Sequence, residues 1–142
     1  MATPQFSVII TCHNQRKFIA DAIQSAISQI YESREVIVVD DASSDGSDSV
    51  LKSYGEMIRL ISLERNQGAS EARNAGTAAA RGNYLVYLDG DDLLKPWALL
   101  VYETRKCDCA GYLEPGIIVA SGNTGTPIRR LLAEVTNLRC LA

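Results

Sequence analysis

Four short apolar runs, each breaking off into carboxylates or polar turn residues, constrain this chain more than any other feature. Phe6 to Thr11 (FSVIIT), Glu35 to Val39 (EVIVV), Met57 to Leu63 and Tyr84 to Leu88 (YLVYL) have the length and the branched or aromatic content of strands. The almost unbroken apolar character of FSVIIT, EVIVV and YLVYL suits strands buried on both faces of a sheet.

Between these runs the apolar spacing changes to that of helices. Phe18, Ile19, Ala22, Ile23, Ala26, Ile27 and Ile30 recur at three- and four-residue intervals, which predicts an amphipathic helix. Asp48 to Tyr54 predicts a short helix stopped by Gly55. Ser70 to Arg81 is alanine-rich, with Ser70 as its N-cap and Gly82-Asn83 as its stop. Pro96 suits the first turn of a helix reaching about Lys106. Beyond Tyr112 the signal weakens, with a strand expected at 116–121 and a helix at 127–135.

Strand and helix thus alternate, which predicts an α/β domain with a mostly parallel sheet and flanking helices. Right-handed crossovers place the strand C-termini on one edge. The loops at Cys12-His13-Asn14, Asp40-Asp41, Asn66-Gln67-Gly68 and Asp89-Gly90-Asp91-Asp92 should therefore converge there, where open α/β sheets bind ligands.

Composition narrows the partners. The chain has 142 residues, enough for one domain with a real core, and a net charge of −3. It has no basic cluster of the kind a nucleic-acid partner requires. Met1 leads almost directly into a strand, without a basic region and a long apolar stretch, so no secretory signal is expected. No run approaches the roughly 18–20 apolar residues of a membrane helix. A cytoplasmic protein is the expectation, with Cys12, Cys107, Cys109 and Cys140 as reduced thiols lacking metal-ligand spacing.

Seven of the 17 acidic residues fall in two knots, Asp40, Asp41, Asp45 and Asp48, and Asp89, Asp91 and Asp92. Three carboxylates within four residues repel one another, and a divalent cation such as Mg²⁺ or Mn²⁺ is the simplest remedy. Gly90 would allow a tight turn and the close approach of a ligand. The bland alternative is a solvated turn capping the next helix. Asp40-Asp41 could likewise cap a helix, or accept hydrogen bonds from a base or ribose. Arg73 falls near the third residue of a helix capped at Ser70, a place suited to a cation only if an anion binds or a nearby carboxylate pairs with it. His13, the lone histidine, has no evident partner as a catalytic base.

Taken in order, these pieces resemble the family 2 glycosyltransferases of GT-A type. Ser7-Val-Ile-Ile-Thr-Cys-His-Asn14 resembles that family's VSVIIPTYN strand and loop, and Val38-Val-Asp-Asp-Ala-Ser-Ser-Asp-Gly-Ser47 its VDDGSxDGS segment. Asn66-Gln-Gly-Ala-Ser-Glu-Ala-Arg-Asn-Ala-Gly76 resembles NxGxsxARNxG, and Tyr84 to Asp92 the last strand with its DxD motif. The resemblance implies a Rossmann-like half that binds a nucleotide-sugar donor, often UDP-linked, for metal-assisted, inverting transfer to an acceptor hydroxyl. It implies that Thr11, His13 and Asp41 line the base and ribose, that Arg73 approaches the base or diphosphate, and that Asp89 helps to hold the nucleotide. Asp91, with Asp92, would bind Mn²⁺ or Mg²⁺. Cys12-His13 departs from the pattern's small residue and tyrosine. The acids after Asp92 (Glu103, Asp108, Glu114 and Glu134) sit in no motif resembling the family's general base, so the catalytic residue is unknown. The expectation is one incomplete GT-A domain over 1–142, with a donor-binding core at 6–100 and a poorly defined segment at 101–142.

A nucleotide-binding module without turnover would share every one of these features. A response-regulator receiver needs its acid pair after the first strand, where Thr-Cys-His-Asn stands instead. A dinucleotide-binding domain needs GxGxxG there, and none follows.

Overall fold

A computed structural model describes residues 3–104, 111–114 and 117–121. The elements are β1 (Phe6–Cys12), α1 (Ile19–Ile27), β2 (Arg34–Asp40), α2 (Ser47–Ser53), β3 (Arg59–Ser62), α3 (Ala69–Ala79), β4 (Tyr84–Asp89), α4 (Ala98–Thr104), β5 (Gly111–Glu114) and β6 (Ile117–Ser121). The sheet order is β3-β2-β1-β4-β6-β5. The first four strands are parallel, while β6 runs antiparallel to β4 and β5 antiparallel to β6. A mostly parallel sheet with flanking helices is thus what forms. β5 was not foreseen, and the helix expected at 127–135 lies outside the described residues.

Alternation along the strands sorts the core into two layers. Phe6, Val8, Ile10, Val36, Val38, Val86 and Leu88 pack with Ile19, Ala22, Ile23 and Ala26 of α1, Leu51 of α2, and Leu99 and Tyr102 of α4. Ile9, Ile37, Val39, Leu85 and Tyr87 face the other way, onto Ala72, Ala75 and Ala79 of α3. The alanines let α3 lie close to the sheet, and Gly76 lets it lie closer still. A Cβ on Gly76 would come within 2.4 Å of Ile9 Cγ2.

Two helix ends differ from their expected places. The apolar period runs on to Ile30, yet α1 stops at Ile27 and Ile30 is 61% exposed. Its last carbonyls are taken by a side chain from the next strand. The Arg34 guanidinium donates to the carbonyls of Ala26 (3.0 Å), Tyr31 (2.7 Å) and Ile27. At the other change, α3 begins at Ala69 with Gly68, not Ser70, as its N-cap. Gly68 has φ 89°, and its N–H is held by the carboxylate of Asp41, so a long-range contact places the helix start.

Candidate functional site

The strand C-termini and the N-terminus of α3 enclose a cleft of about 300 Å³. Thr11, Cys12, His13, Gln15, Asp41, Ala69, Ala72, Arg73, Asp89 and Asp91 line it. Thr11, His13, Asp41, Arg73, Asp89 and Asp91, singled out from the sequence, are therefore brought together from four separate stretches of chain. Asp92 does not line the cleft.

One wall is a hydrogen-bonded knot of loops. Asp41 is 3% exposed, and its two carboxylate oxygens accept the N–H groups of Gln67 (2.7 Å) and Gly68 (2.8 Å). Its carboxylate thus shapes the β3–α3 loop as well as lining the cleft. His13 Nδ1 lies 2.6 Å from the Asp41 carbonyl oxygen, and its Nε2 lies 2.9 Å from Asn66 Nδ2 and 3.3 Å from Asn14 Nδ2. Asn14, with φ 52°, accepts the Ser44 N–H on Oδ1 (2.8 Å), and its own N–H donates to Ser43 Oγ (2.9 Å). Asp45 accepts the Ser47 hydroxyl (2.5 Å) and the Arg16 N–H (2.9 Å), which holds its carboxyl below the usual range. The acidic knot after β2 is therefore largely loop scaffolding.

The opposite wall carries charge. Asp89 Oδ1 accepts Arg73 Nη2 (2.7 Å) and, at 3.4 Å, the Thr11 hydroxyl. Arg73 thus pairs with a carboxylate at an adjacent strand end, one of the two outcomes its sequence position allowed. With the helix start moved to Ala69, Arg73 sits in the second turn, where the helix dipole acts more weakly than in the first. Among the described residues its buried Nε has no hydrogen-bond partner, an uncommon state. Burial pushes the Cys12 thiol up, so it lines the cleft as an unreactive group.

Gly90 lies in the tight turn expected of it, closed by the Asp92 N–H donating to the Asp89 carbonyl oxygen at 2.9 Å. Its φ is not positive, and the space beside it is already filled. A Cβ there would meet Gln15 Oε1 at 2.4 Å, the Thr11 carbonyl oxygen at 2.8 Å and Ile19 Cδ1 at 3.1 Å. Glycine is required for packing of the chain against itself, not for room beside a ligand.

Asp91 and Asp92 are exposed. Partial burial, followed by the charges of Asp91 and Asp89, pushes the Asp92 carboxyl up, a field that a bound cation would reverse. Among the described residues no group of three or more His, Cys, Asp or Glu side chains is arranged to hold a metal ion. Mg²⁺-type sites completed by substrate phosphates need only one or two carboxylates, and Asp91 with Asp92 fits that donor set.

Ala42 occupies the left-handed region at φ 54°, where the VDDGSxDGS pattern writes glycine. A Cβ costs about 1–2 kcal/mol in that conformation, partly offset by the greater freedom of unfolded glycine. Ala42→Gly should therefore raise stability by about 0.5–1 kcal/mol in urea unfolding, and an unchanged or lower midpoint would count against the strain.

With this geometry in view, the comparisons with known proteins become specific. The model of the family described as Glycosyl transferase family 2 matches residues 7–135. The chain belongs to that family. Among its curated relatives, the succinoglycan biosynthesis protein ExoO of Rhizobium meliloti is 39% identical over 94 residues, covering 66% of this chain and 27% of the relative. A cholesterol galactosyltransferase of Borreliella burgdorferi is 33% identical over 105 residues, covering 72% of this chain and 29% of the relative. Among solved structures, Staphylococcus aureus TarS 1–349 in complex with UDP-GlcNAc superposes with a TM-score of 0.69 at 25% identity, covering 87% of this chain and 37% of TarS 1–349. The mannosyltransferase PcManGT of Pyrobaculum calidifontis, solved with GDP-Man and Mn²⁺, also gives 0.69 at 25% identity, covering 80% and 36%. The chain thus spans well under half the length of each. These two structures share its GT-A-type fold. Among the described residues no helix is long and apolar enough to cross a membrane.

Proposed function

We propose that this chain carries the donor-nucleotide site of a glycosyltransferase that moves a sugar from a nucleoside diphosphate, with UDP the first candidate, to an acceptor hydroxyl. The observation that carries the reading is the single cleft in which Thr11, His13, Asp41, Arg73, Asp89 and Asp91 meet at the C-terminal sheet edge. The spare Nε of Arg73 supports an anionic or polar occupant. UDP-GlcNAc and GDP-Man in the structural neighbours favour a nucleotide sugar over other anions.

In this reading Thr11, His13 and Asp41 form the base and ribose side. Arg73, held by Asp89, faces the base or diphosphate. Asp91, with Asp92 beside it, holds Mn²⁺ or Mg²⁺. A cation there would offset the negative charge that builds on the nucleoside diphosphate as the sugar departs. Inversion at the sugar carbon, the acceptor side and a cytoplasmic location are carried over from the family resemblance and the composition. The silent-module reading shares the cleft and differs only in turnover, so a sugar-transfer assay separates the two.

Calorimetric titration with UDP, with and without Mn²⁺, tests the site directly. Binding should require Mn²⁺ and weaken about 10–100-fold in Asp91→Ala, the loss of a charge-assisted contact. Equal UDP affinity with and without the metal, or in the variant, would sink the metal assignment. No affinity for any nucleotide in a folded sample would sink the site.

A further inference from the structure

We propose that Asn66 is a positioning residue that locks His13 as the neutral Nδ1–H tautomer, so that the ring meets a nucleobase with its face and not with a ring nitrogen. This rests on the nucleotide reading above for the identity of the ligand, but the tautomer itself follows from hydrogen-bond polarity alone.

Backbone groups that cannot change role hold the ends of the hydrogen-bond chain through His13. The Gly68 N–H can only donate, and it is shared between Asp41 Oδ2 at 2.8 Å and Asn66 Oδ1 at 3.1 Å. That fixes which end of the Asn66 amide is oxygen, and turns its NH₂ group to His13 Nε2 at 2.9 Å. The Ser44 N–H fixes Asn14 in the same way, with Oδ1 at 2.8 Å and its NH₂ group 3.3 Å from the same nitrogen. Nε2 is therefore an acceptor facing two donors. At the other side of the ring, the Asp41 carbonyl can only accept, and it lies 2.6 Å from Nδ1. Nδ1 must carry the proton. Three backbone groups, two on the loop after β2 and one on the loop after β3, demand one and the same tautomer.

The consequence reaches the ligand. His13 lines the cleft with both nitrogens occupied, so it has no free base or donor to offer. What remains is a flat, uncharged ring, suited to stacking on a planar base. Asn66 contributes the shorter of the two amide contacts, and the same amide accepts the Gly68 N–H at the start of α3. It thus ties ring orientation to the helix terminus beside the cleft.

His13 is the chain's only histidine, so long-range ¹H–¹⁵N NMR of the full 142-residue chain reads one ring. Without nucleotide and above neutral pH, Nδ1 should be pyrrole-like and Nε2 pyridine-like. Asn66→Asp keeps an acceptor for the Gly68 N–H but presents an acceptor to Nε2 as well, and should bring a proton onto that nitrogen. Asn66→Ala should lower UDP affinity about tenfold, the loss of one well-formed hydrogen bond's worth of ordering. A wild-type ring protonated on Nε2, or no change in a folded Asn66→Asp, overturns the lock. The expected tautomers with equal UDP affinity in Asn66→Ala overturn the positioning role. The expected tautomers with no nucleotide bound by the wild type support the lock and remove the nucleotide reading instead.

Discussion

Gly90→Ala should all but abolish nucleotide binding, although residue 90 need touch no ligand. The added Cβ would fall 2.4 Å from Gln15 Oε1, 2.8 Å from the Thr11 carbonyl oxygen and 3.1 Å from Ile19 Cδ1. Gln15 can swing its amide away at small cost. The Thr11 carbonyl cannot, because it belongs to the central strand β1 and already accepts the Gly90 N–H at 2.9 Å. The strain must therefore pass into the ends of β1 and β4, where Thr11, Asp89 and the Arg73 ion pair are set. Overpacking of this kind costs about 1–3 kcal/mol of stability. A displacement near 1 Å in the residues that hold a ligand costs about 100-fold. UDP titration beside urea unfolding gives both numbers. A variant that binds within about threefold of the wild type would show that the sheet end yields more easily than its packing implies.

Glu35→Ala should be strongly destabilising for a polar truncation, and its effect should depend on pH. Parallel register sets Ser7 beside Glu35 at the end of the sheet opposite the cleft. Glu35 Oε1 accepts the Ser7 hydroxyl (2.6 Å) and the Arg81 N–H (2.6 Å), while Ser7 Oγ accepts the Gly82 N–H (2.8 Å). Ser7 is fully buried, so truncation leaves its hydroxyl without an acceptor, while the exposed Arg81 N–H loses its bond to the carboxylate. The expected loss is about 3 kcal/mol, near the upper end for buried polar groups left unsatisfied. The guanidinium contacts at 3.3 Å add little, because the Arg81 side chain is 68% exposed.

Burial works to raise the Glu35 carboxyl, but the Ser7 and Arg81 hydrogen bonds together outweigh it and hold the group below its usual range. A carboxyl lowered in the folded state stabilises above its unfolded pKa, and that stability is lost as pH falls through the folded value. Wild-type urea midpoints should therefore lose this contribution only as pH falls below the ordinary glutamate value and through the lower folded one. Glu35→Gln should start lower and lose this part of the acid dependence. Parallel pH profiles for the two would contradict the network.

Much of the site was legible along the chain because strand periodicity carries topology with it. Once FSVIIT, EVIVV and YLVYL are read as parallel strands, their polar ends must share an edge, and His13, Asp41, Asp89 and Asp91 converge without further information. Asn66 was noticed only as part of a loop. Its role depends on a contact 53 residues away in the chain, between two exposed polar side chains, and no periodicity encodes that. Along the sequence Asp41 fits a cap or a ligand group equally, and only the fold shows its carboxylate on the Gln67 and Gly68 amides. Backbone partners of a side chain leave no mark on composition.

The sequence by itself determined the mostly parallel α/β sheet and the edge at which the polar loops meet, since apolar runs must be buried and right-handed crossovers leave one polar edge. Only the tertiary structure decided the helix ends, the pairing of Arg73 with Asp89, the packing need for Gly90 and the tautomer of His13. Each of these is a short-range, directional contact between distant residues. Burial can be read from a pattern of residues, but a hydrogen bond's partner is chosen only when the chain has brought both groups within about 3 Å.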